Sequence, residues 1–210
     1  MTKTPKIAMA TIASAALLAT AATGCGGDKS TTSASSVSST TTSSPTPTTG
    51  GVGGATSATP ASTDYTKLLI EASDIPGTKR WTADPPVLNP DGTPGAKGLY
   101  HNASGSGAIA VIIQILDNAS QAPGALDDGK KALPNVVTGT PSPVDVGTGG
   151  TLVQGMTPDG KNSMTVLLFT EGKAFVDMTF ASGPDDPAPL DKVIDLGRKQ
   201  DTAISNGLPS

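Results

Sequence analysis

Apolar and polar positions divide the chain into three regimes. Residues 7–22 form a charge-free run of small and apolar residues, residues 30–63 carry no charge and few large apolar side chains, and from Asp64 onward apolar residues recur at regular spacing. In the third regime Tyr65, Leu68, Leu69 and Ala72 fall at helical intervals until Pro76-Gly77, which predicts a short helix. Trp81 follows, then Val87-Leu88, a turn at Asn89-Pro90-Asp91-Gly92 and a brief strand at Leu99-Tyr100-His101. Ala108 to Leu116 is almost continuously apolar, broken only by Gln114, which predicts a strand in the middle of a sheet. Ala122, Ala125, Leu126, Ala132 and Leu133, with Asp127, Asp128, Lys130 and Lys131 between them, predict an amphipathic helix ended by Pro134.

Four further strands are predicted at Asn135 to Thr140, Gly150 to Met156, Ser163 to Thr170 and Ala174 to Ala181, with turns at Thr157-Pro158-Asp159-Gly160 and Glu171-Gly172-Lys173. Such short turns make neighbouring strands antiparallel. In the last strand Ala174, Val176, Met178 and Phe180 alternate with Phe175, Asp177 and Thr179, one face core and the other partly wet. A terminal helix capped by Asp186, with Pro187 just inside it, is expected to bury Leu190, Val193, Ile194 and Ile204. The expected fold class is α+β, an antiparallel sheet with helices packed on it.

The first regime is a secretory signal in form: Lys3 and Lys6 precede sixteen residues, Ile7 to Ala22, without charge. The run is short beside the ~20 apolar residues that a membrane-spanning helix needs, so removal of residues 1–24 is expected. It closes on Ala22-Thr23-Gly24-Cys25, which resembles the bacterial lipobox, with Ala22 where that box usually has leucine. The resemblance implies lipidation of Cys25, the only cysteine, by a diacylglycerol, with acyl chains such as palmitate. The alternative is an ordinary cleaved signal followed by a free thiol, an unusual state for a secreted protein. Two or three acyl chains would hold the protein firmly, since each buried methylene is worth about 0.8 kcal/mol.

Residues 25–63 then comprise the lipidated cysteine and a linker. From Ser30 to Thr63, 21 of 34 residues are Ser or Thr, with Pro45, Pro47, Pro60 and Gly50-Gly51 among them. Such a composition buries too little apolar surface to offset ordering entropy, so a disordered tether is expected, either an unmodified spacer or an O-glycosylated stalk. Residues 64–210 are read as one globular domain of 147 residues, long enough to bury about 68–70% of its unfolded surface.

Charge narrows the partners. The chain has 14 basic and 18 acidic residues, and loss of Lys3 and Lys6 with the signal leaves 12 against 18. Without a basic patch, binding to nucleic acid or through a polybasic lipid-headgroup site is disfavoured.

The order of a cysteine anchor, a Ser/Thr tether, a short helix, a Trp, an apolar strand, a helix, a hairpin-rich sheet and a terminal helix resembles the mycobacterial LpqN and LpqT lipoproteins. The patterns that carry it are Ala132-Leu133-Pro134-Asn135 and Lys173-Ala174-Phe175-Val176. The resemblance implies a PsbP-like fold and a cell-envelope protein, outside the membrane, that binds a protein partner or a small apolar ligand. It implies no catalytic residue and no cofactor.

No catalytic constellation is present in the sequence. His101 is the only histidine, leaving a hydrolase using His101 as the enzymatic alternative, with a purely structural envelope component as a third reading. Asp127-Asp128 and Asp185-Asp186 are read as helix-face and helix-start carboxylates, and Gly147 to Gly155 as a hairpin turn. Tyr65, Trp81 and Tyr100 combine an apolar ring with a polar handle and fall in or beside irregular segments. They are the candidate binding residues, with the loops from Gly77 to Gly107 expected to border the site.

Overall fold

The computed structural model describes residues 63–77 and 80–208. The predicted signal, Cys25 and nearly all of the predicted tether lie outside them. Eight strands make one antiparallel sheet: β1 (Trp81–Ala83), β2 (Val87–Leu88), β3 (Gly95–Asn102), β4 (Gly107–Ile115), β5 (Ser142–Pro143), β6 (Thr148–Met156), β7 (Ser163–Glu171) and β8 (Ala174–Ser182). The spatial order is β1-β3-β4-β8-β7-β6-β5, with β2 also on β3. The fold is therefore α+β, as expected, and β4 lies inside the sheet between β3 and β8.

Both edges are short and interrupted by proline. Trp81 pairs with Asn102, whereas Val87 pairs with Lys97, so the run from Trp81 to Leu88 holds one more residue than the stretch of β3 it lines. Pro85 and Pro86 fall at this bulge, where a missing N–H costs no ladder bond. At the other edge β5 is two residues long and includes Pro143.

Helix α2 (Leu190–Gly207) covers the first face of the sheet. Its Val193, Leu196 and Ile204 join Val111 and Ile113 of β4, Leu167 and Phe169 of β7, and Val176 and Met178 of β8 in the main core. Helix α1 (Ala122–Ala132) lies on the second face, where its Leu126, with Leu133 and Val137 beyond its end, meets Val153, Val166 and Leu168. Apolar cover on both sides explains the continuous buried run Val166 to Phe169 in β7.

Several expectations are corrected. The predicted helix at Tyr65 is two 3-10 turns, Tyr65–Leu68 and Ala72–Asp74, with extended backbone between them. Ile70 there donates its N–H to Gln200 Oε1 at 3.2 Å, and its carbonyl accepts from the Tyr100 hydroxyl at 2.5 Å. Long-range side chains thus take the backbone groups that a helix would have used. The strand expected at Asn135 to Thr140 is absent: residues 133–135 form a 3-10 turn, Val137 is buried beneath α1, and strand pairing begins only at Ser142. Of Gly147 to Gly155, only Gly147 belongs to a turn, since β6 starts at Thr148 with a register shift between Thr148 and Thr151. Helix α2 starts at Leu190, not at Asp186, with Pro189 extended at its N-cap; Leu190 is exposed and Ile194 only partly buried.

Strand β3 is longer than predicted because two of its glycines admit close neighbours. A Cβ at Gly98 would meet the Tyr100 ring and hydroxyl. Gly95, at φ +150°, brings its backbone against the Ile113 carbonyl. Burial pushes the Tyr100 phenol up to about 12, with the Asp74 carboxylate adding to the shift. Tyr100→Phe, which leaves the Ile70 carbonyl without this donor, is expected to lower stability by about 1 kcal/mol in urea titration. An unchanged midpoint would mean that the bond contributes nothing.

Candidate functional site

None of the three aromatic candidates is fully exposed. Tyr100 lies in regular strand β3 and is 2% exposed, a core residue withdrawn from any surface. Trp81 opens β1 and Tyr65 lies in a 3-10 turn; both are partly buried against the main core. Between the strands of this region, Asn102 organises the β3–β4 turn: its Oδ1 accepts from the Ser106 and Gly107 amides and from the Ser104 hydroxyl.

His101 stands 3.3 Å from Asp84, its side chain 43% exposed and that of Asp84 49% exposed. Neither residue lines either of two shallow surface concavities, and no serine is hydrogen-bonded to the ring among the described residues. Those concavities are open grooves along α2. One runs beside Leu69, Ile70 and Asp74. The other is polar, with Asp145, Glu171, Arg198 and Asp201 on its walls. There Arg198 is 3.2 Å from Asp145, while burial, with the Glu171 charge, raises the Asp201 carboxyl above its usual range. No metal-holding group of His, Cys, Asp or Glu occurs among the described residues.

Cross-strand register locates a different surface, missed in the sequence. Residues directly opposite in an antiparallel sheet share a face. Leu168 in the α1 core pairs with Asp177, which pairs with Ile112, which pairs with Lys97, which pairs with Val87. The next row holds Leu99, Ala110, Thr179 and Val166. Helix α1 covers this second face over β6 and β7 and reaches Phe175 of β8. Beyond it, Leu99, Ala110, Ile112, Lys97, Asp177 and Thr179 are all partly exposed, and Val87 at the rim is 50% exposed.

Asp177 is the unusual member of this surface. Its only hydrogen bond among the described residues is from the Thr179 hydroxyl at 2.9 Å. Crowding by the sheet and α1 withdraws water and pushes its carboxyl up to about 6, while the Thr179 bond works in the opposite direction. Because the folded-state value exceeds that of the unfolded chain, the group favours the fold fully below about pH 4, and this contribution is lost as pH rises through about 6. A rise from the ordinary carboxylate value to about 6 corresponds to about 3 kcal/mol, of which partial exposure leaves about 1–2. Asp177→Asn is therefore expected to stabilise the protein by that amount at neutral pH and to make no difference near pH 3.5 in thermal melts. Equal gains at both pH values would assign the effect to something other than the charge.

No local sequence pattern marks this surface, because Lys97, Ile112 and Asp177 meet only through the β3–β4–β8 register. Comparison of the chain with protein-family models, with curated proteins and with solved structures finds no match.

Proposed function

We propose that the protein is a non-enzymatic cell-envelope lipoprotein, held to the outer face of the membrane by acyl chains on Cys25, whose folded domain binds a protein partner. In kind it resembles the mycobacterial LpqN and LpqT lipoproteins, and the antiparallel sheet with a helix on each face is the outline expected of a PsbP-like fold. The observation that carries the binding role is the half-covered second face, where Leu99, Ala110 and Ile112 stay accessible beside α1 although α2 and the segment from Tyr65 to Ile75 together bury the core on the first. A flat, open surface suits a macromolecule better than a small apolar ligand, which is ordinarily enclosed in a pocket. No described helix is long and apolar enough to cross a membrane, so membrane attachment by this reading depends on Cys25.

The test is mass spectrometry of the native protein together with detergent phase partition. An amino-terminal peptide that begins at Cys25 and carries diacylglycerol, with the protein in the detergent phase, is expected. A chain that retains residues 1–24, or that starts at Cys25 unmodified and partitions into water, would overturn the anchor. The hydrolase alternative turns on His101, and Asp84 is its one polar neighbour by hydrogen bond, leaving the ring without a nucleophile among the described residues.

A further inference from the structure

The open half of the second face has the dimensions of one helix. From β2 across β3 and β4 to β8 are three strand spacings of about 4.8 Å, or roughly 14 Å, against a helix diameter of ~10–12 Å. Helix α1 bounds it on one side, and on the other it runs out to the sheet's own edge at Val87. The floor is Leu99, Ala110 and Ile112, and Lys97 and Asp177 flank Ile112 at the same level, about 10 Å apart across β4. Among the described residues neither charge has an ion-pair partner, and the charges of α1 are already paired within the helix, Lys130 with Asp127 and Lys131 with Asp128.

We propose, building on the partner-binding reading above, that this face docks one amphipathic helix of a partner protein alongside α1. Its apolar stripe lies on Leu99, Ala110 and Ile112, with acidic side chains along the flank next to Lys97 and basic side chains along the flank next to Asp177. Such a helix would supply both missing counter-charges where water is already scarce, which is where ion pairs discriminate between partners.

Other occupants fit less well. Residues 30–63 of this chain contain no charge at all. In a second copy, a two-fold axis along β4 would set Lys97 against the copy's Asp177 but drive its β1–β2 edge into α1, because sheet and helix layers both sit about 10 Å above a sheet. Moving the axis to β3 avoids that clash and opposes the two copies' Lys97 residues. Lipid chains offer nothing to two charges in the middle of the patch. Strand addition is opposed by the proline-broken edges.

Three synthetic helical peptides with the same apolar stripe test this, one with an acidic and a basic flank, one acidic on both and one basic on both. Each is titrated into the full chain at about pH 8, where Asp177 is ionised, and read by fluorescence anisotropy. The mixed peptide is expected to bind about fivefold more tightly than either other. Lys97→Glu should shift the preference to the all-basic peptide and Asp177→Lys to the all-acidic one, whereas Ile112→Asp should abolish binding of all three. Circular dichroism melts within a few degrees of the parent qualify each variant. Indifference to flank charge, binding that survives Ile112→Asp, self-association of the chain through this face in sedimentation, or binding of neutral lipid vesicles blocked by Ile112→Asp would each overturn the proposal. None of these outcomes touches the Cys25 anchor, which phase partition tests separately.

Discussion

Gln200→Leu is expected to destabilise the folded domain by about 2–4 kcal/mol and to release the segment from Tyr65 to Ile75, because two buried backbone groups lose their partners at once. Gln200 sits on α2 with 0% exposure, in the middle of the main core. Its Nε2 donates to the Leu68 carbonyl at 2.6 Å, and its Oε1 accepts from the Ile70 amide at 3.2 Å. The amide side chain thus takes the place of a strand neighbour for a segment that has none. Leucine would add apolar contact but could satisfy neither group, and each orphaned buried group costs roughly 1–3 kcal/mol. For a domain of this size the melting temperature should fall by about 5–12 °C. Amide exchange separates this account from simple overpacking. Protection should be lost first at Leu69 to Ile75, whereas uniform loss across the sheet would contradict it.

The same segment shows why helical spacing at Tyr65 does not produce a helix. Tyr65, Leu68, Leu69 and Ala72 do have helical spacing, but the pattern says only which residues seek burial. Leu68 and Ile70 are both buried, two apart, which is possible because the backbone between the two turns is extended and is held by Gln200 and Tyr100. Neither partner is near in sequence, so no local pattern could reveal them. Lys199 completes the attachment by donating to the Asp74 carbonyl at 2.7 Å.

Elements whose stability is local or whose burial is two-sided were legible. The apolar run of β4, the alternation of β8, the turns at Gly160 and Gly172 and the end of α1 before Pro134 all follow from residue type and spacing. Val136-Val137 has the composition of a strand, yet Val137 is buried between Leu126 of α1 and Val153, Val166 and Leu168 of the sheet face without joining the ladder itself, a tertiary choice between two ways of hiding the same side chain. Of the candidate site, little was legible. Tyr100, one of the three candidate aromatics, uses its polar handle inside the core. The surface that matters joins Lys97 to Asp177, eighty positions apart, and only the pairing of three strands brings them into one row.

Cys25→Ala is expected to transfer the protein almost completely from the membrane fraction to the medium. The effect should be large because the proposed attachment is all or nothing. One acyl chain holds only marginally, with a binding constant of about 10⁴ M⁻¹, whereas two or three together hold firmly, and the substitution removes every chain at once. The described domain has no substitute to offer: none of its helices is long and apolar enough to span a membrane, and the chain is net acidic, −4, which disfavours a headgroup-binding surface. The fold should be untouched, since Cys25 lies well before Asp64 and, as the only cysteine, can form no disulfide within the chain. Released protein should therefore melt as the parent does and bind the mixed-charge helical peptide with the same affinity. Retention of Cys25→Ala in the membrane fraction after a high-salt wash would show that something other than acyl chains holds the protein there.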